Sequence, residues 1–479
     1  MMLFFSILLS FLLGLLFCTF IFKKNEDISF RFLLNLSLPI GIGASSVLFI
    51  SLNLFGLPLF LIPLIEIGMI IFLIFKLKKT GKQIQSIWSK ANKFSKLKKI
   101  NRSERALQNP ILLLIMGIYF YALLINSGIF IFESIKEPHG LWDAFNLWNF
   151  KAKFIRRAPY EWSSLFHQMV SNNLHLDYPL LQTGYIAYCW LIMKNESVWV
   201  PIVLSFIFTF CTIGLLASSV SIFTNKIRGL IAGLVLLSTP FYMTMGDSQY
   251  ADNTVGFFYL ATIILLTFAR SGPSIKPHLL IAAGITAGLS AWSKNEGLLF
   301  ITCLFVSQLT LLFFKNYREL FVELKFLFFG MLPILLLIAY YRISIAPPND
   351  IVHAQGTETL IKLSDYSRYV TIGKWYIAQF STFGQWALNP WWLFLFGIIY
   401  KGLNLKENKN SLVSTFILLI LMLTGFFFIY LITPLDLVFH LSTSIHRLFF
   451  QLFPTFIFIY FVAIKSKKAI PNKSVIDKA

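Results

Sequence analysis

The stretch Trp142–Lys151, W-D-A-F-N-L-W-N-F-K, places one carboxylate, Asp143, where a run of apolar segments gives way to a long polar one. A carboxylate in that setting can orient a hydroxyl group and take its proton. Trp142 and Trp148 flank it, and Lys151, Lys153, Arg156 and Arg157 follow. Aromatic anchors beside cations suit a substrate with a lipid tail and an anionic head. At helical spacing Trp142, Asn146, Asn149 and Lys153 share one side, which predicts an amphipathic helix parallel to the membrane surface, its tryptophans at headgroup level. Lys153 is thereby a candidate for phosphate binding.

Further polar clusters recur along the chain, each open to two readings. His175 and Asp177 stand just before Pro179, where they can position an acceptor or orient Asp143, or Asp177 can cap a helix start. In Gly246–Asp252 the turn needs only Gly246 and Asp247; Asp252 is either an N-cap or part of a site. Lys294, in W-S-K-N-E-G, lies where basic residues are disfavoured, which an anionic phosphate explains and so does pairing with Glu296. Asp436, His440, His446 and Arg447 crowd the last polar connection, with Arg447 suited to a two-pronged grip on phosphate. His440 and His446 lack an evident third ligand, which argues against zinc. Segment 342–385 carries Asp350, His353, Asp365 and Arg368 and has the length of an acceptor-binding or lid segment.

The elements that must hold these groups are membrane helices. The 479 residues are 57% hydrophobic and only 13% charged, and 52 phenylalanines cannot hide in one aqueous core. Apolar runs, mostly of the length a helix needs to cross about 30 Å of hydrocarbon, predict an all-α polytopic protein with about 13 transmembrane helices. They fall at 2–20, 32–53, 56–76, 110–132, 197–220, 229–246, 253–270, 279–293, 297–314, 326–341, 386–401, 411–432 and 448–464. Eleven basic residues against one acid between Lys76 and Arg105, and five lysines in the tail from Lys465, place those segments in the cytoplasm. Segments 133–178, 247–252, 294–296, 342–385 and 433–447 then lie outside. The net charge of +20 thus reads as topology and lipid contact, and no nucleic-acid partner is expected. Residues 179–194 are apolar but short, and read either as a shallow surface-lying helix or as a true span offset by a miscount elsewhere. The four cysteines fall in apolar runs as small hydrophobes, and the first helix lacks a cleavage pattern and is expected to be retained.

W142-D-A-F-N-L-W-N-F-K-A-K-F, D177-Y-P-L-L, Y250-A-D, K294-N-E-G and P434-L-D-L-V-F-H-L-S-T-S-I-H-R447 together resemble the GT-C superfamily. Within it they are most similar to bacterial relatives of the protein O-mannosyltransferases and the lipid A aminoarabinose transferase. The resemblance runs from about residue 110 to 464 and implies a GT-C type helical bundle in the bacterial cytoplasmic (inner) membrane, its active site facing outside. Residues 1–109 look like an N-terminal three-helix extension, 110–464 like the catalytic core, and 465–479 like a basic cytoplasmic tail. The resemblance also implies an inverting transferase using a polyprenyl-phosphate-linked sugar donor and an extracytoplasmic hydroxyl acceptor. Asp143 falls on the family aspartate that deprotonates or orients the acceptor, and Asp252 on the acid of the second outer turn. Lys294 falls on the lysine of a turn usually written T-K-G, here S-K-N-E-G. Arg447 stands where relatives often keep an arginine after Asp, here after His446. His175, Asp177, Asp436 and His440 remain as positioning candidates, Lys294, Arg447 and Lys153 as phosphate ligands. No nucleotide cofactor is needed, and a divalent metal is left open. The competing readings are a transporter or flippase for a lipid-linked or anionic substrate, and a non-catalytic assembly protein; the absence of an internal repeat and the gathering of polar groups on one face favour the enzyme.

Overall fold

Within lipid the backbone must satisfy its own hydrogen bonds, so long apolar runs fold as helices. The computed structural model describes residues 2–22, 28–79, 109–166, 175–272, 274–313, 316–349, 356–386, 390–404 and 408–465. Three helices lead: α1 (Met2–Ile21), α2 (Phe30–Leu54) and α3 (Leu61–Lys79). Then come α4 (Pro110–Lys136), a π-turn (Ala144–Asn149), α5 (Phe150–Arg157), α6 (Leu181–Met193), α7 (Trp199–Phe223), α8 (Lys226–Leu237) and α9 (Pro240–Asp247). The chain continues through α10 (Asp252–Arg270), α11 (Pro277–Ser293), α12 (Glu296–Leu309) and α13 (Tyr317–Ser344). It closes with α14 (Thr357–Ser364), α15 (Tyr366–Thr382), α16 (Pro390–Lys401), α17 (Lys409–Ile432) and α18 (Leu437–Ala463).

Among the described residues nine helices are long and apolar enough to cross a membrane, or ten if α8 and α9, bent by 66° at their junction, form one crossing. The protein is an all-α polytopic membrane protein. Three other segments expected to span are shorter or more polar. α11 has 17 residues and α16 has 12, while α3 holds Glu66 within it and ends in Lys76, Lys78 and Lys79. The basic residues from Lys82 to Arg105, the tail beyond Lys465, and Asp350 and His353 lie outside the described residues.

α10 is the axis of the bundle. Every residue from Asp252 to Ala269 is buried, against α7, α11, α17 and α18. α11 and α13 approach through Gly284 and Gly330, where an added methyl would come within 2.1 Å of the Leu327 and Ile281 carbonyl oxygens respectively. α1–α3 pack into the same core: Asn53 Nδ2 donates to the Pro159 carbonyl at 2.6 Å, and the Tyr188 hydroxyl donates to Glu66 Oε2 at 2.5 Å.

Two segments depart from the linear reading. α6, with 13 residues, is about 20 Å long, short of the roughly 30 Å of a bilayer core. It packs alongside α5 and against α2, and beyond its C-terminus Glu196 meets Arg156 at 3.1 Å and Arg157 at 2.6 Å. Of the residues 179–194, the structure makes helical only these 13, fewer than the roughly 20 of a full crossing. The expected outer segment 342–385 contains α15, which folds against α17 and α18 through Tyr369, Tyr376 and Phe380 on Phe427 and Phe449. Arg368 explains the docking: its Nε and Nη2 each donate at 2.9 Å, to the Leu431 and Tyr430 carbonyls, which α17 leaves unpaired at its C-terminus.

Candidate functional site

The polar groups converge beyond the end of α4, at the starts of α10 and α12, and on the third and fourth turns of α18. After α4 the chain turns at Gly140, whose φ of +71° favours glycine. A methyl there would lie 2.6 Å from both the Ser248 carbonyl oxygen and Ala144 Cβ. The turn is laced to the α9–α10 connection: Leu141 N–H donates to the Ser248 carbonyl at 3.2 Å, and Gln249 Nε2 to the Pro138 carbonyl at 3.3 Å. Asp143 follows directly and opens the π-turn, a form of backbone frequent at functional sites.

Asp143 Oδ2 sits 2.7 Å from Arg447 Nη2, and its backbone N–H donates to the Tyr250 hydroxyl at 3.4 Å. Its Oδ1 has no partner among the described residues, and its side chain is 18% exposed. Arg447 also reaches Asp252 Oδ2, through Nη2 at 2.8 Å and Nε at 3.2 Å, while its guanidinium lies 4.5 Å from the Tyr250 ring centroid. Asp252 is fully buried; its Oδ1 accepts from Lys294 Nζ at 3.1 Å and Gln451 Nε2 at 2.6 Å. Lys294 Nζ in turn meets Glu296 Oε1 at 2.8 Å. Burial would depress the Lys294 ammonium, but Asp252 and Glu296 outweigh it and hold its pKa above the usual lysine value. The Asp252 carboxylate is therefore occupied by side chains and does not cap α10, and the Lys294–Glu296 pair is formed. Three carboxylates and two cations leave this network one negative charge in excess.

A second group abuts the first through Asn295. Buried Asp177 accepts from Asn295 Nδ2 and Asn349 Nδ2, each at 2.6 Å, on Oδ2. It makes no cap to α6. Arg342 Nη2 donates to Asn295 Oδ1, and the Tyr341 hydroxyl donates to the Leu176 carbonyl at 2.6 Å. His175, Tyr178 and Trp148 form a stack: Tyr178 lies 5.2 Å from the His175 ring at 15° and 5.7 Å from Trp148 at 9°. Lys294 and Lys151 Nζ both approach the Tyr178 ring, at 5.8 and 5.9 Å from its centroid.

The structure thus brings Asp143, Asp252, Lys294 and Arg447 together, with Asp177 and His175 adjoining. Asp436 instead caps α18, its Oδ1 accepting from Phe439 N–H at 2.8 Å. His440 Nδ1 is 2.9 Å from Thr433 Oγ1 and its ring meets Tyr430. Lys153 lies within electrostatic reach of Glu196, with Arg156 and Arg157, apart from the Asp143 network. Trp142 is exposed, but Trp148 is completely buried and is no headgroup anchor. Among the described residues no group of three or more His, Cys, Asp or Glu side chains is arranged to hold a metal ion.

Sequence reasoning gave no site role to Gln451 or Arg342, nor to Tyr250, Asn295 and Lys151, although these three lie inside the motifs it singles out. Gln451 had a signal, since it lies one helical turn beyond Arg447. Arg342 had a signal of the same kind as Lys294, a basic residue in a segment that the sequence reading expects outside, and it bonds Asn295 next to Lys294.

Comparison with known proteins bears on one part of the chain. Residues 177–341 match the family described as Dolichyl-phosphate-mannose-protein mannosyltransferase. This similar stretch holds Asp177, Asp252, Lys294 and Asn295; Asp143, Arg342 and Arg447 fall outside it. No curated protein and no solved structure matches the chain.

Proposed function

We propose that the protein is a membrane-embedded, inverting glycosyltransferase that takes a sugar from a polyprenyl-phosphate carrier and passes it to a hydroxyl group of an extracytoplasmic acceptor. The observation that carries this reading is the similarity of 177–341 to a family named for sugar transfer from a lipid phosphate, joined in space to a carboxylate with one oxygen unclaimed among the described residues. Polar groups gathered at one end of a helical bundle suit a substrate whose tail stays in lipid and whose head lies at the surface.

In this reading Asp143 accepts the acceptor's proton on Oδ1 as the acceptor oxygen attacks the anomeric carbon. The bond from that carbon to the phosphate oxygen breaks, its electron pair leaves with the lipid phosphate, and the sugar's configuration inverts. Arg447 holds Asp143 through Oδ2, and Asp252 with Lys294 and Gln451 holds Arg447. Lys294 and Arg447 are each engaged by two carboxylates, so they serve here mainly as the frame. The phosphate falls to Arg342, whose guanidinium bonds a neutral amide at Asn295. Among the described residues Arg342 meets no carboxylate within ion-pair distance, and such a cation is the better partner for charge developing on the leaving oxygen.

The bend between α8 and α9 favours a second reading, since broken helices also line transport sites. A flippase would move the carrier intact. Purified protein in liposomes, supplied with a panel of polyprenyl-phosphate sugars and candidate acceptors, separates the two. Release of free polyprenyl phosphate with transfer of the sugar supports the enzyme; translocation with no glycosyl cleavage overturns it.

A further inference from the structure

We propose that Lys151 is a positioning residue for Asp143, its buried ammonium tying the π-turn and α5 to the His175–Tyr178 turn. The inference rests on the catalytic reading of Asp143 given above. Lys151 is the second residue of α5, just beyond the π-turn that Asp143 opens, and it is 0% exposed. Among the described residues it has no carboxylate within ion-pair distance. Its Nζ donates to the His175 carbonyl at 3.3 Å and lies 4.9 Å from the Trp148 ring centroid and 5.9 Å from that of Tyr178. A buried ammonium held by one carbonyl and two aromatic rings is a costly arrangement that a merely packed helix does not require.

The anchor at the other end is firm. His175 has a φ of +41°, unusual for a residue with a side chain, and its carbonyl also accepts the Tyr178 N–H at 3.1 Å. Asp177 in the same turn is held by Asn295 and Asn349, and Tyr341 bonds the Leu176 and Tyr178 carbonyls. Asp143 is thus fixed from two directions. Arg447 and Tyr250 hold it from α18 and the α9–α10 turn, and Lys151 holds the backbone that follows it. The groups facing Lys151 are Asp177, His175 and Tyr178, with Lys294 also against Tyr178; Lys153 and Arg156 share its helix. Burial pushes the Lys151 ammonium down to about 7, partly offset by Asp177, so the tie loses its charge as pH rises through neutrality.

The test uses the full-length protein in membranes, given a radiolabelled short-chain polyprenyl-phosphate mannose, with label transfer followed from about pH 6 to about pH 9. Lys151→Met keeps the stem between the rings and removes the charge. It is expected to lower kcat roughly ten- to a hundredfold, the cost of a misplaced reacting group, with donor KM within about threefold. It is also expected to lack the fall in rate predicted for the wild type above about pH 7. Lys151→Arg, which stays charged, should turn over faster than Lys151→Met and lack that alkaline fall. Lys151→Met with the wild-type kcat and pH profile overturns the inference. Should Lys151→Met not survive purification as a monodisperse protein, an alkaline fall retained in Lys151→Arg overturns it instead. Asp143→Asn in the same assay keeps the two claims apart. Full turnover there removes the catalytic reading, whereas an inactive Asp143→Asn beside an unaffected Lys151→Met removes only this one.

Discussion

Replacing Arg447 by Met should unravel the site more than any other single change, and the size of the effect follows from its contacts. The guanidinium makes one bond to Asp143 at 2.7 Å and two to Asp252 at 2.8 and 3.2 Å. Without it the network holds three carboxylates against Lys294 alone, and Asp252 Oδ2, fully buried, loses both its donors. Removing one partner of a buried ion pair costs about 3–5 kcal/mol. The upper half of that range applies, because two carboxylates are stranded at once. In Asp252→Asn, by contrast, Arg447 keeps Asp143 and Lys294 keeps Glu296, so the loss should sit near the lower bound of about 3 kcal/mol. The assay is thermal unfolding in detergent, where Arg447→Met should lower the apparent Tm by roughly 5–10 °C. Combining it with Asp252→Asn should cost less than the sum of the two, since the stranded charge is then gone. An unchanged Tm in Arg447→Met, or strict additivity in the double variant, refutes the reasoning.

Gly140→Ala should lower turnover while leaving the helical bundle assembled. The substituted backbone would carry about 1–2 kcal/mol of left-handed strain in addition to the 2.6 Å approach to the Ser248 carbonyl, and Tm with turnover measures both. Arg342→Gln should raise the KM for a polyprenyl-phosphate sugar about tenfold or more, the worth of one charge-assisted hydrogen bond, with Tm little changed. Lys151 should make stability and activity run oppositely with pH. The unfolded chain keeps its proton up to the ordinary lysine range while the folded protein releases it near about 7, so between those values folding stability rises with pH. The difference in Tm between wild type and Lys151→Met, recorded across that window, checks the sign.

The acids and cations at the Asp143 end were legible because charge is conspicuous in an apolar chain. Asp143, Asp252, Lys294 and Arg447 are set apart in the sequence by long apolar runs, and the fold brings them within bonding distance. Their neutral partners, Gln451 and Tyr250, carry no such contrast. Choosing Lys153 over Lys151 rested on a 3.6-residue winding from Trp142 onward; the π-turn closes i→i+5 bonds and shifts that register, so Lys151 is the one buried. α15 escaped notice because Arg368, Lys374 and Gln379 lower its hydropathy, although Tyr369, Tyr376 and Phe380 keep a helical period along its packed face. The brevity of α6 was visible, but its place beside α5 depends on Glu196 meeting Arg156 and Arg157, a contact across some 40 residues of sequence.

The central claim is that the Asp143 carboxylate does the chemistry. Its most direct test is the transfer of sugar from polyprenyl phosphate by Asp143→Asn, which keeps the shape of the side chain and loses its basicity. The variant should bind the lipid-linked donor as the wild type does, hold its Tm within a few degrees, and transfer at least about a hundredfold more slowly. Transfer at the wild-type rate would contradict the account.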